Sequence, residues 1–141
     1  MIAIGCDHGG YNLKQNIIKY LEENGVEYKD FGTYTADSCD YPVFAEKVCD
    51  AVTGGECEKG ILVCGTGIGM SMAANKHKGI RAAVCTDAFS TEFTRRHNDA
   101  NVMCMGERTL GPGLALKLVE IFLNTPFDGG KHLRRISMFK D

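Results

Sequence analysis

Two spacings of apolar residues alternate along this chain. Short strand-like runs occur at Met1–Gly5, Val26–Phe31, Ile61–Cys64, Ile80–Thr86 and Asn101–Met105. Between them the apolar positions recur three and four residues apart, the period of a helix with one buried face. Asn12–Glu23 carries Leu13, Ile17, Ile18 and Leu21 on one face, and Asn24-Gly25 closes it. Asp40-Tyr41-Pro42 opens a second helix with proline in its first turn; Phe44, Val48, Ala51 and Val52 form its stripe, and Gly54-Gly55 ends it. A helix holding Met72, Ala73 and Ala74 follows the third run, Asp87 caps a helix reaching Arg96, and Leu114–Leu123 is strongly apolar. The basic tail from Lys131 is expected to add a last short helix.

Five short strands alternating with helices predict an α/β fold, a parallel sheet covered on both faces with right-handed crossovers. No repeat, low-complexity run or linker interrupts the pattern, so residues 1–141 are expected to form a single domain. Ligands of such sheets bind beyond the carboxyl ends of the strands. Those ends carry Cys6-Asp7-His8, Cys64-Gly65-Thr66-Gly67, Thr86-Asp87 and Gly106-Glu107-Arg108.

Composition narrows the class. Apolar residues make up 44% of the chain and charged residues 24%, as in an ordinary globular protein. A net charge of −2 argues against a general binder of nucleic acid or anionic membrane. No apolar run has the length of a membrane span, and the N-terminus lacks the basic and apolar regions of a signal peptide. The seven cysteines form no Cys-x-x-Cys pair, which points to reduced thiols in a cytoplasmic protein.

Only Cys64 runs directly into a glycine loop, Gly65-Thr66-Gly67-Ile68-Gly69, that opens a helix. Such a loop converges backbone N–H groups on one point, and the helix start adds partial positive charge that lowers a thiol pKa. Three chemistries can be set against this string. A dinucleotide loop fits Gly65-Thr66-Gly67 with Asp87 about 20 residues on, but its sixth position is Met70 and the loop follows the third strand. A cysteine-phosphatase cradle needs an arginine where Met70 stands. A thiolate beside backbone donors for an enediolate fits, and so does a tight turn around a buried cysteine; the residues alone leave these two even. Asp7-His8 reads as a helix cap or as a ligand for sugar hydroxyls or phosphate. His97 reads as a charge at a helix end or as a general acid/base, with Asn98 beside it as a donor. Asp7, His8 and His97 could converge on a metal, but no metal-ligand spacing supports this. His77 reads as a surface loop. Arg108 and the tail Lys131-His132-Leu133-Arg134-Arg135 are either a solvated face or a phosphate clamp.

Taken together, Gly5-Cys-Asp-His8, Asp40-Tyr-Pro42, Cys64-Gly-Thr-Gly-x-Gly69, Ala73-Ala-Asn-Lys76, Gly79-Ile-Arg81, Arg96-His-Asn-Asp99 and Gly129-Gly-x-His132 resemble one family. It is the ribose-5-phosphate isomerase B family, in the larger group that includes galactose-6-phosphate isomerase subunits. The resemblance covers nearly the whole chain in order. It implies a Rossmann-like three-layer α/β/α sandwich with a five-stranded parallel sheet, and a homodimer, with a tetramer as the alternative, whose active sites draw on both subunits. It implies no metal and no organic cofactor, and a sugar-phosphate substrate with no nucleic-acid or membrane partner.

The same resemblance implies Cys64 as the base and His97, helped by Thr66, as the ring-opening group. Substrate contacts fall on Asp7, His8, Tyr41, Gly65, Gly67, Ile68, Gly69, Asn98 and Arg108, with Lys131 and Arg135 as phosphate-binding cations. Members without the loop cysteine use a glutamate further along, where this chain has Asn75 and no acid. Lys131 stands where the family usually has arginine, so the bidentate contact is lost or shifts to Arg134. A six-carbon sugar phosphate, allose 6-phosphate or galactose 6-phosphate, is the alternative substrate. A nucleotide-binding regulatory module using Asp87 is the alternative from another class.

Overall fold

In a computed structural model, which describes residues 1–141, the strand-like runs pair into one five-stranded parallel sheet. The strands are β1 (Ile2–Cys6), β2 (Tyr28–Asp30), β3 (Lys59–Cys64), β4 (Ala82–Val84) and β5 (Val102–Gly106). The helices are α1 (Tyr11–Glu23), α2 (Tyr41–Thr53), α3 (Ile68–Ala74), α4 (Ala88–Asn98), α5 (Pro112–Asn124) and α6 (Lys131–Ile136). The strand order is β2-β1-β3-β5-β4. The chain leaves β1 toward β2 on one side and returns to β3 on the other, so a switch point opens between the carboxyl ends of β1 and β3.

Side-chain alternation sorts the core into two layers. Ile2, Ile4 and Cys6 of β1, Ile61 and Val63 of β3, and Met103 and Met105 of β5 face a layer built on Leu13, Ile17 and Leu21 of α1 and Leu118, Val119 and Phe122 of α5. Ala3, Leu62, Cys64, Val102 and Cys104 face the opposite layer, where Ala45, Val48 and Cys49 of α2 and Met70 and Ala74 of α3 lie. Both faces of the central strands are dry, which is why those runs read as nearly continuous apolar sequence. Each fully buried aliphatic or aromatic side chain contributes about 1.5–3 kcal/mol by leaving water. The packing of α4 against α5 and α6 completes the first layer.

The edge strands are shorter than their sequence runs. β4 is ordered as ladder over three residues where seven were expected, and β2 over three where six were expected. Asn75 explains part of this at β4: its side-chain amide accepts from Ala82 N at 2.8 Å and donates to Ala82 O at 2.9 Å, replacing a neighbouring strand. α5 begins at Pro112, two residues before its apolar stripe, because proline fits the first helical turn.

A buried lysine ties α1 to the segment leading out of β2. Lys14 has no exposed surface; its Nζ donates to Asp30 Oδ1 at 2.8 Å and to Thr33 O at 2.5 Å, and it lies 5.3 Å from the Tyr34 ring centre. Asp30 Oδ1 also accepts from Gly32 N at 2.9 Å. Removing Asp30 leaves the wholly buried Lys14 charge without its counterion, a cost of about 3–5 kcal/mol, whereas Asp30 itself is 24% exposed. The pair therefore fixes where the chain departs toward Cys39 and Tyr41.

Candidate active site

At the β1/β3 switch point three segments close on one another. Asp7 follows β1 and is nearly buried; its carboxylate accepts from Gly9 N at 2.8 Å and so caps the single 3-10 turn over His8–Gly10. Its own N–H donates to Val63 O at 3.2 Å, locking the turn against β3. His8 is exposed, and its Nδ1 accepts the Cys39 N–H at 3.2 Å. A neutral imidazole that accepts at Nδ1 carries its proton on Nε2, which leaves that N–H free for a ligand.

Cys64 ends β3, 6% exposed, with Sγ accepting the Gly67 N–H at 3.1 Å. The turn requires glycine at position 67: φ is +80° there, and a Cβ would meet the Met105 backbone at 3.0 Å. Ile68 N donates to Thr66 Oγ1 at 3.2 Å, so two of the loop amides are already engaged. The other first-turn amides of α3 have no intrahelical acceptor and remain for an anion. A Cβ on Gly69 would stand 2.8 Å from the Tyr41 ring, which places that ring directly over the loop. Arg108 follows β5 and is exposed; its N–H donates to Gly65 O at 3.0 Å and its side chain lies over Gly65. It takes part in none of the ion pairs of the chain. Glu107 Oε1 accepts from Leu13 N at 2.6 Å, anchoring the first turn of α1 to the same mouth. The sequence reading noted Glu107 only as a strand-end residue, and nothing in its spacing announced this long-range cap.

Burial pushes the thiols of Cys6 and Cys85 up to about 11 and that of Cys49 up to about 12, and Cys104 is pushed well up by the same cause. These sulfurs are core apolar groups. All seven cysteines are free.

The remaining expected site residues lie elsewhere in the chain. Arg81, just before β4, donates to the carbonyls of Asn98 and Asp99 at 3.1 and 3.0 Å. His97 and Asn98 therefore sit at the amino ends of the strands, one length of α4, about 16 Å at 1.5 Å per residue, from the strand carboxyl ends. His97 stacks on His132 with ring centres 4.0 Å apart, and Phe93 meets its edge at 4.9 Å. Lys131 and Arg135 belong to the same α6 and act on His132 electrostatically. Asp7 and His8 thus do not meet His97 in one chain, and the metal grouping considered from sequence is not formed. The structure groups the expected residues into two sets, one around Cys64 and one around His97, at opposite ends of the strands.

Four cavities, of about 680, 570, 390 and 340 Å³, are lined by residues away from the Cys64 mouth. The largest lies at the amino edge, between Asn75–Ala83, Asn98 and the tail residues Ile136 and Phe139. Asp87 accepts from Ser90 N at 2.8 Å as the cap of α4, and β5 stands between its strand and β3. A ribose-binding acid would end the strand beside the glycine loop, so the dinucleotide arrangement is not present.

A family model described as Ribose/Galactose Isomerase matches residues 2–139. A relative from Escherichia coli (strain K12) named ribose-5-phosphate isomerase B is 48% identical over 135 residues, 96% of this chain and 91% of that protein. Among solved structures, a ribose-5-phosphate isomerase B of Clostridium thermocellum superposes with a TM-score of 0.95 at 52% identity, covering 96% of this chain and 92% of that one. A ribose 5-phosphate isomerase of Thermotoga maritima also gives a TM-score of 0.95, at 47% identity, covering 96% and 94%.

Proposed function

The chain belongs to the ribose/galactose isomerase family, and on that premise we propose that it interconverts D-ribose 5-phosphate and D-ribulose 5-phosphate through an enediolate. The observation that carries the reading is the Gly67 N–H donated to Cys64 Sγ at 3.1 Å, in a mouth also lined by Asp7, His8, Tyr41 and Arg108. A sulfur held this way at a strand end can take a proton from a carbon beside a carbonyl. In the mechanism, His97 and Thr66 move the protons that open the furanose. Cys64, as thiolate, removes the proton from C2 and returns it to C1. Such a C–H is weakly acidic, so the barrier falls mainly through stabilisation of the enediolate oxygen, the task of the free amides of the Gly65–Ser71 loop. Arg108 and the Nε2–H of His8 hold the phosphate from one side, Lys131 and Arg135 from the other.

The working unit in this reading is a homodimer. Cys64 lies at the carboxyl ends of the strands and His97 at their amino ends, so one chain does not bring the two together. A second copy that brings its α4–α6 end over the mouth supplies His97, Asn98, Lys131 and Arg135. Ile68 and Met72 of α3, exposed by 49% and 65% beside the mouth, offer the apolar surface for that docking. Residues 1–141 act as one isomerase domain, and seven free thiols suit a reducing cytoplasm. No helix is long and apolar enough to cross a membrane.

The test is ketose formation from D-ribose 5-phosphate by EDTA-treated protein, with D-allose 6-phosphate run alongside. Rapid turnover of the ribose ester is the expected result. Faster turnover of the allose ester would keep the enediolate chemistry and replace the substrate. No turnover of either would remove the ribose 5-phosphate reading and leave galactose 6-phosphate as the ester to assay next.

A further inference from the structure

Outside the Cys64 mouth, one group of side chains carries metal-binding chemistry that the isomerase reaction does not call for. His97 at the end of α4, Asp128 in the α5–α6 connection and His132 in the first turn of α6 place one ligand atom each within 4.8 Å of one another. We propose that His97, Asp128 and His132 form a binding site for a divalent transition ion of the zinc type, and that an ion held there blocks isomerisation.

The donor set fits that class. Two imidazoles with one carboxylate suit Zn2+ and its neighbours in the first transition row far better than Mg2+ or Ca2+, which prefer oxygen alone. The backbone prepares the site: Asp128 N donates to Arg96 O at 3.0 Å, which pins the connection carrying Asp128 to the helix carrying His97. The packing of α6 on α4 brings in His132.

Two features oppose binding, and both yield. Arg96 Nε lies 3.3 and 3.2 Å from the two oxygens of Asp128. The pair is exposed to water, which screens it, and a carboxylate has further lone pairs for an ion. The imidazoles stack at an interplanar angle of 9°, so they are assembled in position but not in ring orientation. Rotation about each Cβ–Cγ bond turns their nitrogens onto a shared ion, with a fourth position left for water. Binding rests on this geometry alone. The block on turnover rests in addition on the proposed role of His97, since a metal-held ring nitrogen cannot move a proton.

The experiment is a titration of the full chain with Zn2+ by calorimetry and with Co2+ by visible absorption, followed by turnover with and without EDTA. One ion per chain is expected. The Co2+ spectrum should show d–d bands of nitrogen and oxygen ligands and no thiolate charge-transfer band. His132→Asn and Asp128→Asn should each weaken binding by more than about tenfold, as loss of a ligand demands, while Cys64→Ala leaves it unchanged. Turnover of wild type should fall as the site fills and return with EDTA. Absence of binding, binding that survives both substitutions, or a Co2+ spectrum dominated by thiolate would overturn the site. If both metals bind as described but turnover is unaffected, the blocking role is removed and the ion site stands. Because Co2+ absorption is read without substrate, failure of the site and failure of the isomerase reading are separable.

Discussion

Cys64 differs from the other buried thiols in the direction of its hydrogen bond. Cys6 and Cys85 donate from sulfur, to Thr33 O at 4.0 Å and to Ala83 O at 3.6 Å, as neutral thiols do. Cys64 accepts, from the Gly67 N–H. Replacing it with alanine should lower kcat by about 10²–10⁴-fold, the share of a general base, while sugar-phosphate affinity stays within a small factor. Steady-state kinetics together with ligand titration of the Cys64→Ala protein would read both; retained turnover would remove Cys64 as the base. The sequence singled out Cys64 because a glycine loop follows it at once. It could not show that Gly67 aims its amide at the sulfur, since the loop packs on the backbone of Met105, 38 residues further on, closely enough to leave no room for a Cβ.

At the scale of elements, local rules were the more legible. Asp87 was read as a cap and is one, and hydrogen bonds from Ser90 hold its carboxyl below the ordinary carboxylate value. A carboxyl whose pKa is lower folded than unfolded stabilises the fold above its unfolded value, about 3.9, and loses that contribution as pH falls through the folded one. Thermal melts of Asp87→Ala should therefore lie below wild type at pH 6, with the gap shrinking on acidification past pH 4; a gap that widens in acid would contradict the cap. What the elements hid from sequence were contacts made by side chains that look like surface residues. Asn75 stood in the sequence only as a motif residue in place of an acid, yet it pairs with the β4 edge. Lys14 shares the apolar face of α1 with Ile17 and Leu21, and its charge is wholly buried against Asp30. Both depend on where a distant segment arrives, and periodicity carries no record of that.

At the scale of the molecule, the division of the expected residues between the two ends of the strands makes the assembly testable. Chains carrying Cys64→Ala and chains carrying His97→Asn should each be inactive. Random dimers of the two contain mixed pairs in which one site has both wild-type residues, so about one quarter of wild-type activity should return on co-refolding. If each chain held a complete site, no activity would return. The strands, the helices, the two-sided burial of the sheet and the identity of the loop cysteine were determined by the sequence itself. Those features follow from residue periodicity, turn chemistry and the order of short motifs, all of which act over a few neighbours. The strand order, the burial of Lys14, the amide bond to Cys64 and the stacking of His97 on His132 beside Asp128 were decided only by the tertiary structure. Each joins segments separated in the chain or fixes a side-chain direction, and the physics that sets them is the packing of the whole.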